Sequence, residues 1–119
     1  MPTLLELLAS VTPDLEARIR SQLTGFTAAI VRPYLPQRWV FVTEQGTASL
    51  VVDTTGAVSA VDGVAAPPDV TLKIGFERLR VALTTRRKEL VPPGPPLEVT
   101  PHTAKGKTAF QFLRSRLGL

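Results

Sequence analysis

The sequence predicts an α+β fold, a five-stranded and largely antiparallel sheet with helices packed on one face. Three observations lead there. Residues 38–74 contain four stretches of period-two alternation separated by glycine turns or a proline linker. Helical patterns with apolar spacings of three and four flank that block on both sides, and a short fifth alternating stretch, 97–100, lies between the last two of them. Strands grouped between helices suit an α+β layout better than alternating parallel βαβ units. At 119 residues the chain is long enough for one core. We therefore expect a single domain, with residues 1–36 as an N-terminal helical part, 37–75 as the four-strand sheet core, and 76–119 as helix, strand and helix.

Thr3-Leu-Leu-Glu6 matches a capping box and starts a short first helix over residues 3–10. Thr12, Pro13, Asp14 and Glu16 form a second start signal, a hydroxyl cap with proline and acids in the first turn. From there Leu15, Ile19, Leu23, Phe26 and Ile30 recur at helical spacing and predict one apolar face, while Asp14 with Arg18 and Glu16 with Arg20 stand four apart on the other side. Gly25 is expected to bend or break this helix, and Pro33 and Pro36 end it. Tyr34 and Leu35 are apolar residues on that connector, consistent either with a lid or with ordinary packing.

In the first strand Trp39 and Phe41 point to one side and Val40 and Val42 to the other, so both faces are apolar. Turns at Gln45-Gly46 and Thr54-Thr55-Gly56 separate it from a second strand, 48–53, and a third, 57–61, and connections this short predict a meander. After the linker Ala65-Ala-Pro-Pro68, Val70, Leu72 and Ile74 alternate with Thr71 and Lys73 in a fourth strand with one wet face. Phe76, Leu79 and Leu83 then share a helical face. The proline-rich 91–96 stretch forbids more helix and leads into the fifth strand, 97–100. A last helix, starting between 103 and 108 and capped by a Thr108-x-x-Gln111 box, presents Phe110, Leu113 and Leu117 on one side.

Composition narrows the chemistry. Apolar residues at 44% and charged residues at 20% describe an ordinary globular domain and not a disordered one. The absence of cysteine removes disulfides, thiolate catalysis and cysteine-ligated metal sites. No apolar run approaches the ~18 residues a bilayer span needs, and no signal-peptide pattern opens the chain, so a cytoplasmic location is expected. A net charge of +4 fits a solubilising surface.

Gly106-Lys107-Thr108 after a strand has the look of a phosphate-binding loop, but the motif needs glycine at position 101, where Pro101 has no amide hydrogen to offer. We read this stretch as a flexible basic loop before a helix. His102, the only histidine, reads as an exposed turn residue, and Asp53, Asp62 and Asp69 as acids at strand ends or turns. Arg78, Arg80, Arg86, Arg87 and Lys88 form the densest basic region; lacking interleaved aromatics it does not suit base stacking, so nucleic acid is not expected, while peripheral contact with an anionic membrane is compatible with it.

From Asp69-Val-Thr-Leu-Lys-Ile onward, a strand, a helix facing inward with Phe76, Leu79 and Leu83, a short strand and a final amphipathic helix, together with the hairpin-like Leu50-Val-Val-Asp-Thr-Thr-Gly-Ala-Val, the chain resembles the sterol carrier protein 2 (SCP2) family. The resemblance covers about residues 38–119. It departs from the family pattern in the rigid 91–96 connector, in Pro101-His102 after the last strand, and in ending without Ser-Lys-Leu. The resemblance implies a non-catalytic protein needing no cofactor. It further implies a tunnel between sheet and helices that takes a lipid, fatty acyl chain, sterol-like or isoprenoid molecule. On that reading the lining is Trp39, Phe41, Leu50, Val52, Leu72, Ile74, Phe76, Leu79, Leu83, Phe110 and Leu113, residues that a plain packed core would use equally well. The alternative is a ligand-free interaction module working through the sheet face or edge, and either reading suits a monomer or a homodimer.

Overall fold

Thr3 opens the first helix, α1 (Leu4–Gln22), with a reciprocal capping box: its hydroxyl accepts the Glu6 amide at 3.1 Å and the Glu6 carboxylate accepts the Thr3 amide at 3.4 Å. The structure is a computed structural model and describes residues 3–25, 28–85 and 97–113, the last residue of the third helix and the last two of the fourth by backbone alone. Helix α1 is one continuous element, not the two predicted on either side of Thr12. Pro13 lies inside it, exposed. A proline there leaves the carbonyl four residues back without its amide partner. The Thr12 hydroxyl donates to that carbonyl, Ala9 O, at 2.9 Å, so the helix passes through. Leu4, Leu7, Leu8, Val11, Leu15 and Ile19 form its buried stripe.

The helix stops at Gln22, with Leu23 as its cap and Gly25 in the left-handed region at φ 71°. The apolar face predicted to run on to Ile30 ends with it. Ile30 sits on a separate short helix, α2 (Ala28–Val31), beyond the break at Gly25, and is 63% exposed. Phe26 lies outside the described residues. A 3-10 turn, Arg32–Tyr34, follows.

The sheet contains β1 (Gln37–Thr43), β2 (Gly46–Val52), β3 (Val58–Asp62), β4 (Val70–Lys73) and β5 (Glu98–Pro101), in the order β3-β2-β1-β4-β5. β1, β2 and β3 form the expected antiparallel meander; β4 pairs parallel to β1, and β5 antiparallel to β4. In register, Trp39 stands between Leu50 and Val70, and Phe41 between Ala48 and Leu72. These residues share the inner face with Val52 and Ile74, and helices α1, α3 (Phe76–Thr85) and α4 (Ala104–Leu113) bury it in one apolar cluster. Full burial of each such side chain contributes about 1.5–3 kcal/mol.

The link from β3 to β4 crosses the opposite face. Ser49, fully buried, donates its hydroxyl to Gly63 O at 2.7 Å and accepts the Ala65 amide at 3.0 Å, which ties the linker down over the centre of that face. The β2–β3 turn is an Asx turn in which the Asp53 carboxylate accepts the amides of Thr55 and Ala57. Gly56 of this turn has φ 86° and sits under α1, where an added Cβ would lie 2.8 Å from Leu23 Cδ1.

Candidate functional site

The site predicted from sequence is the layer between sheet and helices. The structure places Trp39, Phe41, Leu50, Val52, Leu72, Ile74, Phe76, Leu79, Leu83 and Phe110 together in one buried cluster. The Leu113 side chain lies outside the described residues. Among the ten, Phe41, Leu72 and Leu79 are wholly buried and Phe110 is the most open at 7%, so all are in contact with protein over nearly their whole surface. Helix α1 also contributes Leu4, Leu7, Leu8, Val11, Leu15 and Ile19 to the same layer. The sequence reading omitted them from the lining, although their spacings of three and four were visible.

One end of the layer is polar. Trp39 meets Phe110 with ring centroids 5.6 Å apart at 50°, the tilted geometry aromatic pairs prefer. Its indole Nε1 donates to Gln37 Oε1 at 3.0 Å, and Gln37 Nε2 donates to Tyr34 O at 2.5 Å. Gln37 is buried on the same face as Trp39 and Phe41. It was absent from the sequence-predicted site, yet its two-residue spacing from Trp39 is the signal that would have found it.

Next to this end lies Asp69, read from sequence as an acid at a strand end or turn and in fact 4% exposed with long-range partners. Its carboxylate accepts the Arg38 amide at 2.9 Å and the Thr103 hydroxyl at 2.8 Å, with Lys105 Nζ at 3.7 Å. Its own backbone bonds Arg38 O and the His102 amide, each at 2.8 Å. A buried carboxylate is tolerated when bonded and paired in this way. Asp69 thereby joins the starts of β1, β4 and α4.

The residues predicted as a flexible basic loop are the first turns of α4. Thr103, and not Thr108, is its cap: the Thr103 hydroxyl accepts the Gly106 amide at 3.0 Å. Gly106 is there because its Cα abuts the Asp69 backbone; an added Cβ would lie 2.4 Å from Asp69 O. Lys105 Nζ donates to Pro36 O at 2.6 Å, holding the 32–36 connector against α4. His102 is exposed, with Nε2 2.8 Å from Thr71 Oγ1.

On α3, Glu77 and Arg80 form an ion pair. Arg80 Nε donates to Glu77 Oε2 at 3.0 Å and a second nitrogen bonds Oε1, which lowers the Glu77 carboxyl below its ordinary range and raises the guanidinium further. Arg86, Arg87 and Lys88 of the predicted basic region lie outside the described residues. The hydroxyl of Thr55, and then the amides of Thr55 and Ala57, hold the Asp53 carboxyl below the usual aspartate value against partial desolvation. Among the described residues no helix is long and apolar enough to cross a membrane.

The whole architecture superimposes on a solved structure described as a UbiJ-SCP2 ubiquinone synthesis protein, with a TM-score of 0.57 over 98% of this chain and 95% of that one, at 17% identity. The fold is SCP2-like. Sterol carrier protein 2 from Yarrowia lipolytica in its apo form matches at TM-score 0.47 and 12% identity, covering 93% of this chain and 87% of that one. SCP2-like 2 from Aedes aegypti matches at 0.45 and 18%, covering 90% and 95%. No family model and no curated protein sequence matches the chain. In the SCP2-like frame, the ten predicted residues whose side chains are described occupy the inner sheet face and the helix faces turned toward it.

Proposed function

We propose that this chain is a non-catalytic carrier or accessory protein that holds an apolar molecule between its sheet and its helices. The ligand class is a fatty acyl chain, a sterol-like or an isoprenoid molecule. The observation that carries this reading is the SCP2-like architecture running over 98% of the chain. An apolar layer closed by helices supports it, because an extended hydrocarbon needs no polar partners beyond one end. The matched structure is described as a ubiquinone synthesis protein, which makes isoprenoids the first class to try.

Side chains this well buried must part before a ligand takes their place. The 28–36 segment is the cover held least by burial: α2 has no buried residue, and two side-chain bonds, from Gln37 to Tyr34 O and from Lys105 to Pro36 O, tie the connector down. On this reading the ligand passes beneath it and lies against Trp39 and Phe110.

Purified protein is extracted with organic solvent and the extract analysed by mass spectrometry, and emptied protein is titrated with fatty acids, sterols and isoprenoids. Trp39 is the only tryptophan, so its fluorescence reports on this layer directly. We expect a stoichiometric lipid in the extract and a saturable change in Trp39 emission with at least one class. An empty extract together with no saturable binding of any class refutes the proposal.

A further inference from the structure

Gln37 is the one polar side chain among the described residues that is buried on the inner face of the sheet, at 3% exposure. The other two buried polar groups are committed elsewhere. Ser49 holds the linker on the opposite face, and Asp69 joins β1, β4 and α4. A polar group in an apolar layer is costly unless it is bonded.

The orientation of the Gln37 carboxamide follows from its partners. An indole N–H only donates and a backbone carbonyl only accepts, so the oxygen must face Trp39 and the nitrogen Tyr34. That uses one of the two amide hydrogens. The second has no partner among the described residues, and the carboxamide that carries it lies between Trp39, whose ring meets Phe110, and Tyr34 of the 28–36 segment. Near this end of the layer Asp69 and Lys105 stand 3.7 Å apart and offset each other.

We infer that Gln37 donates this hydrogen to an oxygen at the head of the apolar ligand, and so selects molecules with an oxygen acceptor such as a carbonyl at one end over bare hydrocarbons. The inference rests on the proposed function and adds the direction in which the ligand lies, head toward Gln37 and tail along the inner sheet face. A ligand oxygen and the indole then share one amide, the nitrogen serving the ligand and Tyr34 while the oxygen keeps Trp39 in place.

Two probes with matched tails test it by calorimetric titration: a decyl-substituted benzoquinone and decylbenzene. Wild-type protein is expected to bind the quinone more tightly than decylbenzene. Gln37→Met should weaken the quinone roughly three- to tenfold, the worth of one hydrogen bond, and leave decylbenzene unchanged. Because that change also strips Trp39 of its partner, the comparison is repeated in a Trp39→Phe background, where donor and acceptor are removed together and the fold keeps an apolar pair. The same selective loss is expected there. Equal loss for quinone and decylbenzene, no loss for the quinone in the Trp39→Phe background, or wild-type protein binding decylbenzene as tightly as the quinone overturns the inference and leaves the ligand-binding reading standing. Binding of neither probe overturns the inference, and the extraction and lipid titrations then decide the ligand-binding reading separately.

Discussion

Replacing Gly106 by alanine sets two effects of opposite sign against each other. Gly106 lies in α4, and glycine to alanine in a helix interior ordinarily stabilises by about 1 kcal/mol. Here the new Cβ would stand 2.4 Å from Asp69 O and 2.8 Å from its carbonyl carbon, against roughly 3.3–3.6 Å for an ordinary C···O contact. About 1 Å of retreat is needed, and Asp69 has little freedom to give it. Its amide donates to Arg38 O, its carbonyl accepts from His102, and its carboxylate is bonded to Arg38 and Thr103. Overpacking against so fixed a backbone belongs at or beyond the upper end of the usual 1–3 kcal/mol, so we expect a net loss of about 2 kcal/mol after the propensity gain. In urea, with a slope of roughly 2 kcal/mol/M, the unfolding midpoint should fall by about 1 M. Lys107→Ala, an exposed change on the same helix, should stay within about 0.5 kcal/mol of wild type. A Gly106→Ala protein as stable as wild type, or more stable, would refute the close approach of α4 to Asp69.

Asp69→Ala removes the acceptor of two charge-assisted bonds and leaves Lys105 without its acid, so equilibrium denaturation should show a loss of roughly 3–4 kcal/mol. Glu44 reaches from the β1–β2 turn to accept the Phe76 amide with both carboxylate oxygens at 3.1 Å, a cap supplied from outside the helix; Glu44→Ala should cost about 1 kcal/mol, and amide hydrogen exchange should accelerate first in the initial turn of α3. The Asp53 carboxyl is held below its usual value in the folded chain, so the stability it contributes is present above the unfolded aspartate value of about 3.9 and is lost as pH falls through the lower folded value. Wild type should therefore lose stability relative to Asp53→Asn only below about pH 4, and parallel stability curves down to pH 2 would remove that assignment.

The meander, the inward alternation of Trp39 with Phe41, and the helical face of α3 were legible because their apolar periods are local. What the sequence concealed depends on partners far along the chain. Pro13 looks like a helix start until the Thr12 hydroxyl is seen to satisfy the carbonyl that proline abandons. Ile30 fits a helical spacing, but spacing does not register that the helix has ended before Gly25. Asp69 has the local sequence of a turn acid, and only the pairing of β4 beside β1 brings the Arg38 amide and Thr103 to it. Gly106 looked like a phosphate-loop glycine for the same reason: its true neighbour is a carbonyl 37 positions earlier in the sequence. Of the candidate site, the apolar residues could be read one by one, and spacing alone places Gln37 on the same face, but the direction of its bonds was not legible.

The parallel pairing of β1 with β4 divides the molecule in a way that chain order does not suggest. On one side of that seam α1 lies over β2 and β3; on the other α4 lies over β4 and β5, so each half brings its own strands and its own cover. Trp39 and Phe110 meet across the seam, and so do Arg38 and Asp69. Neither half closes the apolar layer alone. A molecule lodged there would touch both halves at once and act as a clasp between them, so that loading the layer and joining the halves become the same event.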